Sequence, residues 1–272
     1  IMHHLVDLPE WELPFYTLHF PKLDPVHLGP LTFDFSPTKH AALLLIAAVI
    51  CIFMLVLAAR AVTRRGAGSA PSGWGNAIES LVVYFRDEVV RTNIGHGADK
   101  FTPFILTLFF FILVNNLLGL VPFGGSATGN LAVTAGLALL TFIVVEITGM
   151  LELGFKGYMK TIFYVPAGMS GVAKYLMLLI MTPVEFLGKL TKPFALAIRL
   201  FANMTAGHTL ILSLIGLIFV FANLTLARWG IAGASIAMSS AIMILELFVA
   251  FLQAYIFAML TAVFIGLIRH AH

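Results

Sequence analysis

Residues 171–221 read GVAKYLMLLIMTPVEFLGKLTKPFALAIRLFANMTAGHTLILSLIGLIFVF and keep a helical pattern straight through Pro183 and Pro193. At ~1.5 Å rise per residue such a helix reaches roughly 75 Å, against a bilayer hydrocarbon core of ~30 Å. A second run, residues 233–268, adds roughly 54 Å. Either the two helices break repeatedly or they lie steeply tilted, close to the membrane plane. Between them NLTLARWG (223–230) supplies one good turn, so a long antiparallel hairpin over 170–270 is the more economical reading.

Within the first run, Arg199 is flanked by no other acid or base between Lys192 and His208, and residues 200–227 carry no formal charge. An arginine near mid-bilayer costs at least ~2.5–3.5 kcal/mol even on lenient insertion scales. It cannot escape by losing its proton, because its pKa stays above ~12. A snorkelling or merely satisfied arginine is the structural alternative; a functional charge is the sharper one.

The rest of the chain agrees with a membrane solvent. Of 272 residues, 60% are hydrophobic and 11% charged, and the mean hydropathy is +0.99. That excludes an ordinary soluble domain. The net charge of +3 comes from bases scattered along loops, which suits membrane topology and gives no footprint for nucleic acid. Cys51, the single cysteine, falls in an apolar run and permits no disulfide framework. No signal peptide is legible ahead of the first apolar run.

Residues 1–40 form a polar, proline-punctuated arm with five acids and two bases. A first transmembrane helix is expected over 41–60, followed by Arg60, Arg64 and Arg65 and the linker GAGSAPSG at 66–73. The positive-inside rule places the arm in the periplasm and the arginines in the cytoplasm. Over 74–96 apolar residues recur at 74, 77, 78, 81, 82, 85 and 89 with charges between, the pattern of a cytoplasmic interfacial helix. A transmembrane pair fills 101–150, split by LVPFGGSATGN at 120–130. Glu146, Glu152, Lys156 and Lys160 mark the return to the cytoplasm. The expected fold is therefore an all-α polytopic membrane protein with about five embedded helices, one interfacial helix and a long final hairpin.

Helical phase sorts the polar residues. Glu185, Lys192 and Arg199 are spaced by seven and drift only ~20° per step, and Lys189 and Asn203 join that stripe. His208, nine residues past Arg199, points to the opposite side. Glu246 and Gln253, also seven apart, share a face of the last helix. In an antiparallel hairpin His208 can approach that face. A proton path and a structural hydrogen-bonded pair are both compatible with this spacing. Asn115 and Asn116 are expected to bond between helices. His3, His4, His270 and His272 fall on opposite sides of the membrane in this topology, so no metal site is expected.

The stretch PVEFLGKLTKPFALAIRLFANMTAGH (183–208) resembles subunit a of the F-type ATP synthase, whose signature RLFxNMxAG occurs here as residues 199–207. NNLLGLVP (115–122), GNLAVT (129–134) and LQAYIF (252–257) are similar to further family motifs and follow in the same order. The resemblance implies an ion-translocating stator subunit with no catalysis or cofactor of its own. Its implied partners are the rotating ring of c subunits, the b-subunit peripheral stalk, the rest of the synthase and the bilayer. The location implied is a bacterial inner membrane, with the N-terminus periplasmic and the C-terminus cytoplasmic. Arg199 matches the essential arginine facing the ring carboxylate, Asn203 and Gln253 match polar residues near it, and Glu185 matches an acid of the cytoplasmic half-channel. His208 and Glu246 occupy positions where many bacterial members carry Glu and His in the opposite order. Lys192 and Asn116 are supporting candidates. Two rivals are disfavoured: a secondary transporter calls for inverted repeats, and an intramembrane hydrolase needs HExxH, GxSxG or paired aspartates.

Overall fold

The polar arm carries two short antiparallel hairpins that its composition does not announce: β1 (Glu10–Glu12) with β2 (Thr17–His19), and β3 (Val26–Leu28) with β4 (Leu31–Phe33). The computed structural model describes residues 10–12, 16–23, 26–28, 31–33, 36–63, 73–121, 125–163, 171–223 and 227–269. The four histidines considered as metal ligands lie outside them. The Ser36 hydroxyl accepts from Leu23 N at 3.0 Å and donates to Leu23 O, tying the end of the arm back on itself.

Thr38 opens α1 (Lys39–Thr63), its carbonyl accepting from Ala42 N at 3.0 Å. One stripe of α1, Leu43, Ala47 and Cys51, is buried at i, i+4 spacing, while Leu45, Val49, Ile52 and Phe53 face outward. Next comes α2 (Trp74–Tyr84), which continues through a π-helical stretch (Phe85–Arg91) into the single turn α3 (Thr92–Ile94). The wider π turn lets the consecutive residues Val89 and Val90 both face inward, with Phe85 and Ile94. The Phe85 ring lies 4.4 Å from that of Phe109 and 5.8 Å from that of Tyr255. On the exposed side Arg91 bonds Asp99 at 2.9 Å and Asp87 at 2.8 Å. The Arg86 guanidinium, bonded to Asp87, holds that carboxyl below its ordinary range, and Arg91 does the same to Asp99.

Pro103 occupies the first turn of α4 (Thr102–Leu120), where its missing N–H costs nothing. Asn130 caps α5 (Leu131–Ile162) by accepting from Ala132 N at 2.9 Å. At Gly154, φ 67° and ψ 162°, α5 breaks and its last turns fold back on the first part. The two longest helices follow: α6 (Val172–Val220), which runs through Pro183 and Pro193, and α7 (Ala227–Arg269). Together with α1, α4 and α5 they are, among the described residues, the five helices long and apolar enough to cross a membrane, so the expected all-α polytopic architecture is the one observed.

The core is organised by α7. Ala250, Ala254, Ala258 and Ala262 are wholly buried, and Gly266 completes a ridge of small residues every fourth position. In lipid no hydrophobic gain separates one apolar contact from another, so close backbone approach along such a ridge is what selects a helix partner. Asn116 of α4 donates to Ala250 O at 3.2 Å. At the other end the Asn93 carbonyl occupies the space a side chain at 266 would take, and Arg269 donates to His96 O at 2.7 Å. By contrast α6 buries only a narrow strip, including Leu196, Leu200 and Met204. Val184, Phe186, Leu190, Phe194 and Ile198 are left open.

Candidate functional site: a polar seam between the two long helices

Two cross-helix contacts fix the register of α6 against α7. Asn203 Nδ2 donates to Gln253 Oε1 at 3.0 Å, and His208 Nδ1 lies 3.4 Å from Glu246 Oε1. The second pair lies further along α6 and further back along α7, so the hairpin is antiparallel. The closeness has a local cause in Gly207. A Cβ there would stand 2.6 Å from Glu246 Oε1 and 2.7 Å from Glu246 Cδ, so the carboxylate rests directly on the α6 backbone. The imidazole is confined from the other side by α4: a Cβ on Gly119 would stand 3.1 Å from His208 Nε2. Glu246 and Gln253 are buried, at 4% and 2% exposure, and a carboxylate is rarely so enclosed unless it is paired.

Beside this pair runs a hydrogen-bonded chain. Ser126 Oγ and Thr128 Oγ1 are 2.7 Å apart, Thr128 donates to Asn116 Oδ1 at 2.8 Å, and Asn116 passes the link to α7. It anchors the 125–130 segment to α4 and α7 next to Gly119. Asn115 behaves otherwise than expected: its amide donates to Phe111 O of its own helix at 2.8 Å. One residue of rotation separates the two asparagines by ~100°, so only Asn116 reaches the neighbouring helix.

Arg199 stands on the exposed face of α6, and among the described residues no hydrogen bond or ion pair engages it. Its neighbours Leu196 and Leu200 hold the buried face. Glu185 and Lys192 are not in this seam. They line a separate cavity of about 110 Å³, together with Lys189, Thr141, Thr161 and Glu146. Lys189, grouped with the Arg199 stripe by its spacing, turns into this cavity and pairs with Glu146 at 3.4 Å. Lys192 Nζ lies over the Phe264 ring at 5.3 Å.

Along the axis of α6, Glu185 lies ~21 Å before Arg199 and His208 ~14 Å after it, at 1.5 Å per residue. Two polar sites thus occupy different levels of the hairpin, with Arg199, unpaired among the described residues, between them. Two features escaped the sequence reading. The A-x3-A-x3-A-x3-A-x3-G ridge of α7 was legible as a period of four. Glu146, read as a mark of the return to the cytoplasm, also enters a part-buried ion pair with Lys189, and no local signal announces that contact.

The model of the family described as ATP synthase A chain matches residues 41–266. The chain is 45% identical over 98% of its length to "ATP synthase subunit a 2" of Chlorobaculum tepidum, covering 72% of that protein. It is likewise 45% identical over 98% of its length to "ATP synthase subunit a" of Chloroherpeton thalassium, covering 75% of that protein. With the protein of that name from Anaeromyxobacter dehalogenans it shares 45% identity over 91% of its length and 61% of that relative's. A helical hairpin with a polar seam, the RLFANMTAG signature at its centre and likenesses that span nearly the whole of this chain lead to one conclusion: this chain belongs to the ATP synthase A chain family.

Proposed function

We propose that this chain passes protons across a bacterial inner membrane as the stator subunit a of an F-type ATP synthase. Two offset aqueous half-channels meet a rotating c ring on the open face of α6. The observation that carries the reading is Arg199: a permanent, unpaired charge on an exposed helix face, between two polar sites at different levels. Such a charge needs a partner, and a ring carboxylate arriving from outside the chain supplies one.

The His208–Glu246 seam lines the outer half-channel. Two ionisable groups within 3.4 Å, Glu246 buried and His208 half-buried, can hand a proton from one to the other with little rearrangement. Asn203 and Gln253 fix the hairpin register and keep the polar surface continuous toward Arg199. Asn116 positions the same wall from α4. On the other side, the cavity edged by Glu185 and Lys192 serves as the cytoplasmic half-channel. Arg199 repels hydronium and attracts each deprotonated ring carboxylate, so a carboxylate passes only after exchanging its proton. The two half-channels therefore stay unconnected except through rotation. Each proton contributes ~2.3 kcal/mol per 100 mV of membrane potential. The apolar exposed face of α6 suits the curved side of the ring. The b-subunit stalk holds the chain against rotation, with the N-terminal arm periplasmic and the C-terminus cytoplasmic.

The test is Arg199→Ala in the intact synthase, reconstituted in sealed vesicles. Expected is assembly without coupled ATP synthesis or ATP-driven proton pumping. Coupled synthesis at the normal rate would refute the barrier role.

A further inference from the structure

The cavity beside Lys192 holds a part-buried carboxylate that the signature motifs leave unassigned. Glu146 lies in the first part of α5, and its Oε2 accepts from the hydroxyl of Tyr158, which the break at Gly154 folds back against it. Lys189 Nζ of α6 reaches the same oxygen at 3.4 Å and Thr161 Oγ1 at 3.3 Å, and lies 4.3 Å above the Tyr158 ring. The side chains of Glu146 and Lys189 are 12% and 11% exposed. From α5 the carboxylate is faced by Tyr158 and Thr161, and from α6 by Glu185, Lys189 and Lys192. The α7 wall, Phe264, Leu267 and Ile268, is apolar.

A charged pair held in a membrane without a task is poor economy, since well-packed apolar residues are as stable or more so. The pair also does not close the cavity. Glu146 lines it alongside the exposed Glu185, so one cavity touches both carboxylates. We infer that Glu146 is a second proton-exchanging carboxylate of the cytoplasmic half-channel, kept in place by Lys189 and Tyr158. It takes a proton from cavity water and returns it to water or to Glu185, and Lys189 balances the charge of the carboxylate while it holds no proton. The inference rests on the half-channel reading of this cavity.

The experiment uses the whole synthase in inverted vesicles, with passive proton flux measured per assembled subunit a after the catalytic head is stripped. Glu146→Gln keeps shape and hydrogen-bonding atoms but cannot ionise; Glu146→Asp keeps the ionisable group but loses reach. A proton-exchanging role ranks Asp above Gln, and a structural latch ranks Gln above Asp. Expected for Glu146→Gln is a flux reduced by roughly tenfold, less than the ~10²-fold typical of a sole proton-transfer group because cavity water offers a parallel route. Flux within twofold of wild type, Gln performing as well as Asp, or a Gln variant that cannot assemble would each overturn the inference. Arg199→Ala is run alongside: if it uncouples while Glu146→Gln conducts normally, only the role of Glu146 falls.

Discussion

Two glycine-to-alanine changes in this hairpin meet different obstacles, and the difference predicts different outcomes. In a helix interior the exchange by itself is favourable by up to ~1 kcal/mol. At position 207 the new methyl stands 2.6 Å from Glu246 Oε1, whereas ordinary contact begins at 3.4 Å. The carboxylate must retreat by about 0.8 Å, and because it is the end of a flexible side chain it can do so at ~0.5–1.5 kcal/mol. Stability is then close to unchanged, but the carboxylate has left its place beside His208. Misplacing a reacting group by ~1 Å can slow a step about a hundredfold. At position 266 the obstacle is the backbone carbonyl of Asn93, which cannot swing aside. There the overpacking penalty of ~1–3 kcal/mol exceeds the propensity gain, and α7 separates from α3. Gly207→Ala is therefore expected to assemble normally and to lose roughly ten- to a hundredfold in proton flux, while Gly266→Ala loses subunit a from the complex. Subunit content by immunoblot and flux in head-stripped vesicles read the two effects separately. Wild-type flux in Gly207→Ala, or assembly loss equal to that of Gly266→Ala, would refute the argument.

Three further outcomes follow from the same contacts. Each single exchange, His208→Glu or Glu246→His, is expected to slow flux, and the double exchange to recover part of it; additive losses without rescue would show that the two act separately. Ala254→Leu, on the buried ridge of α7, is expected to cost ~1–3 kcal/mol and lower the midpoint of thermal unfolding in detergent, whereas Ile244→Leu on the open face leaves it unchanged. The folded-state pKa values of Asp87 and Asp99 are depressed, so their contribution is present above the unfolded carboxylate range and lost as pH falls through the folded values. Protease resistance of the 73–100 segment should therefore weaken on acidification, by a small amount because the pairs are exposed, and Arg91→Gln should flatten that dependence.

Charge and period were enough to read most of the fold. Charge-free runs of nineteen or more residues have one solution in a bilayer, since every backbone group must be satisfied within its own helix. That is why the five long helices and the final hairpin are legible without coordinates. Phase likewise put His208 and Glu246 on facing sides, because helical geometry leaves an antiparallel pair few registers. The strands of the arm were not legible: three-residue hairpins carry too little pattern to stand out from a polar loop.

What the residues alone determined is which ionisable groups fall within long apolar helices, where a charge is costly: Arg199, His208, Glu246 and Glu185. Which of them meet was decided by packing. The α7 ridge brings α4 close enough for Asn116 to reach Ala250 O, and Gly207 lets Glu246 settle on α6. The break at Gly154 returns Tyr158 to Glu146, whose pairing with Lys189 spans two helices and 43 positions of chain. Periodicity describes one helix at a time, so contacts that depend on how closely two helices approach, and on where a third one bends, exist only in the assembled structure.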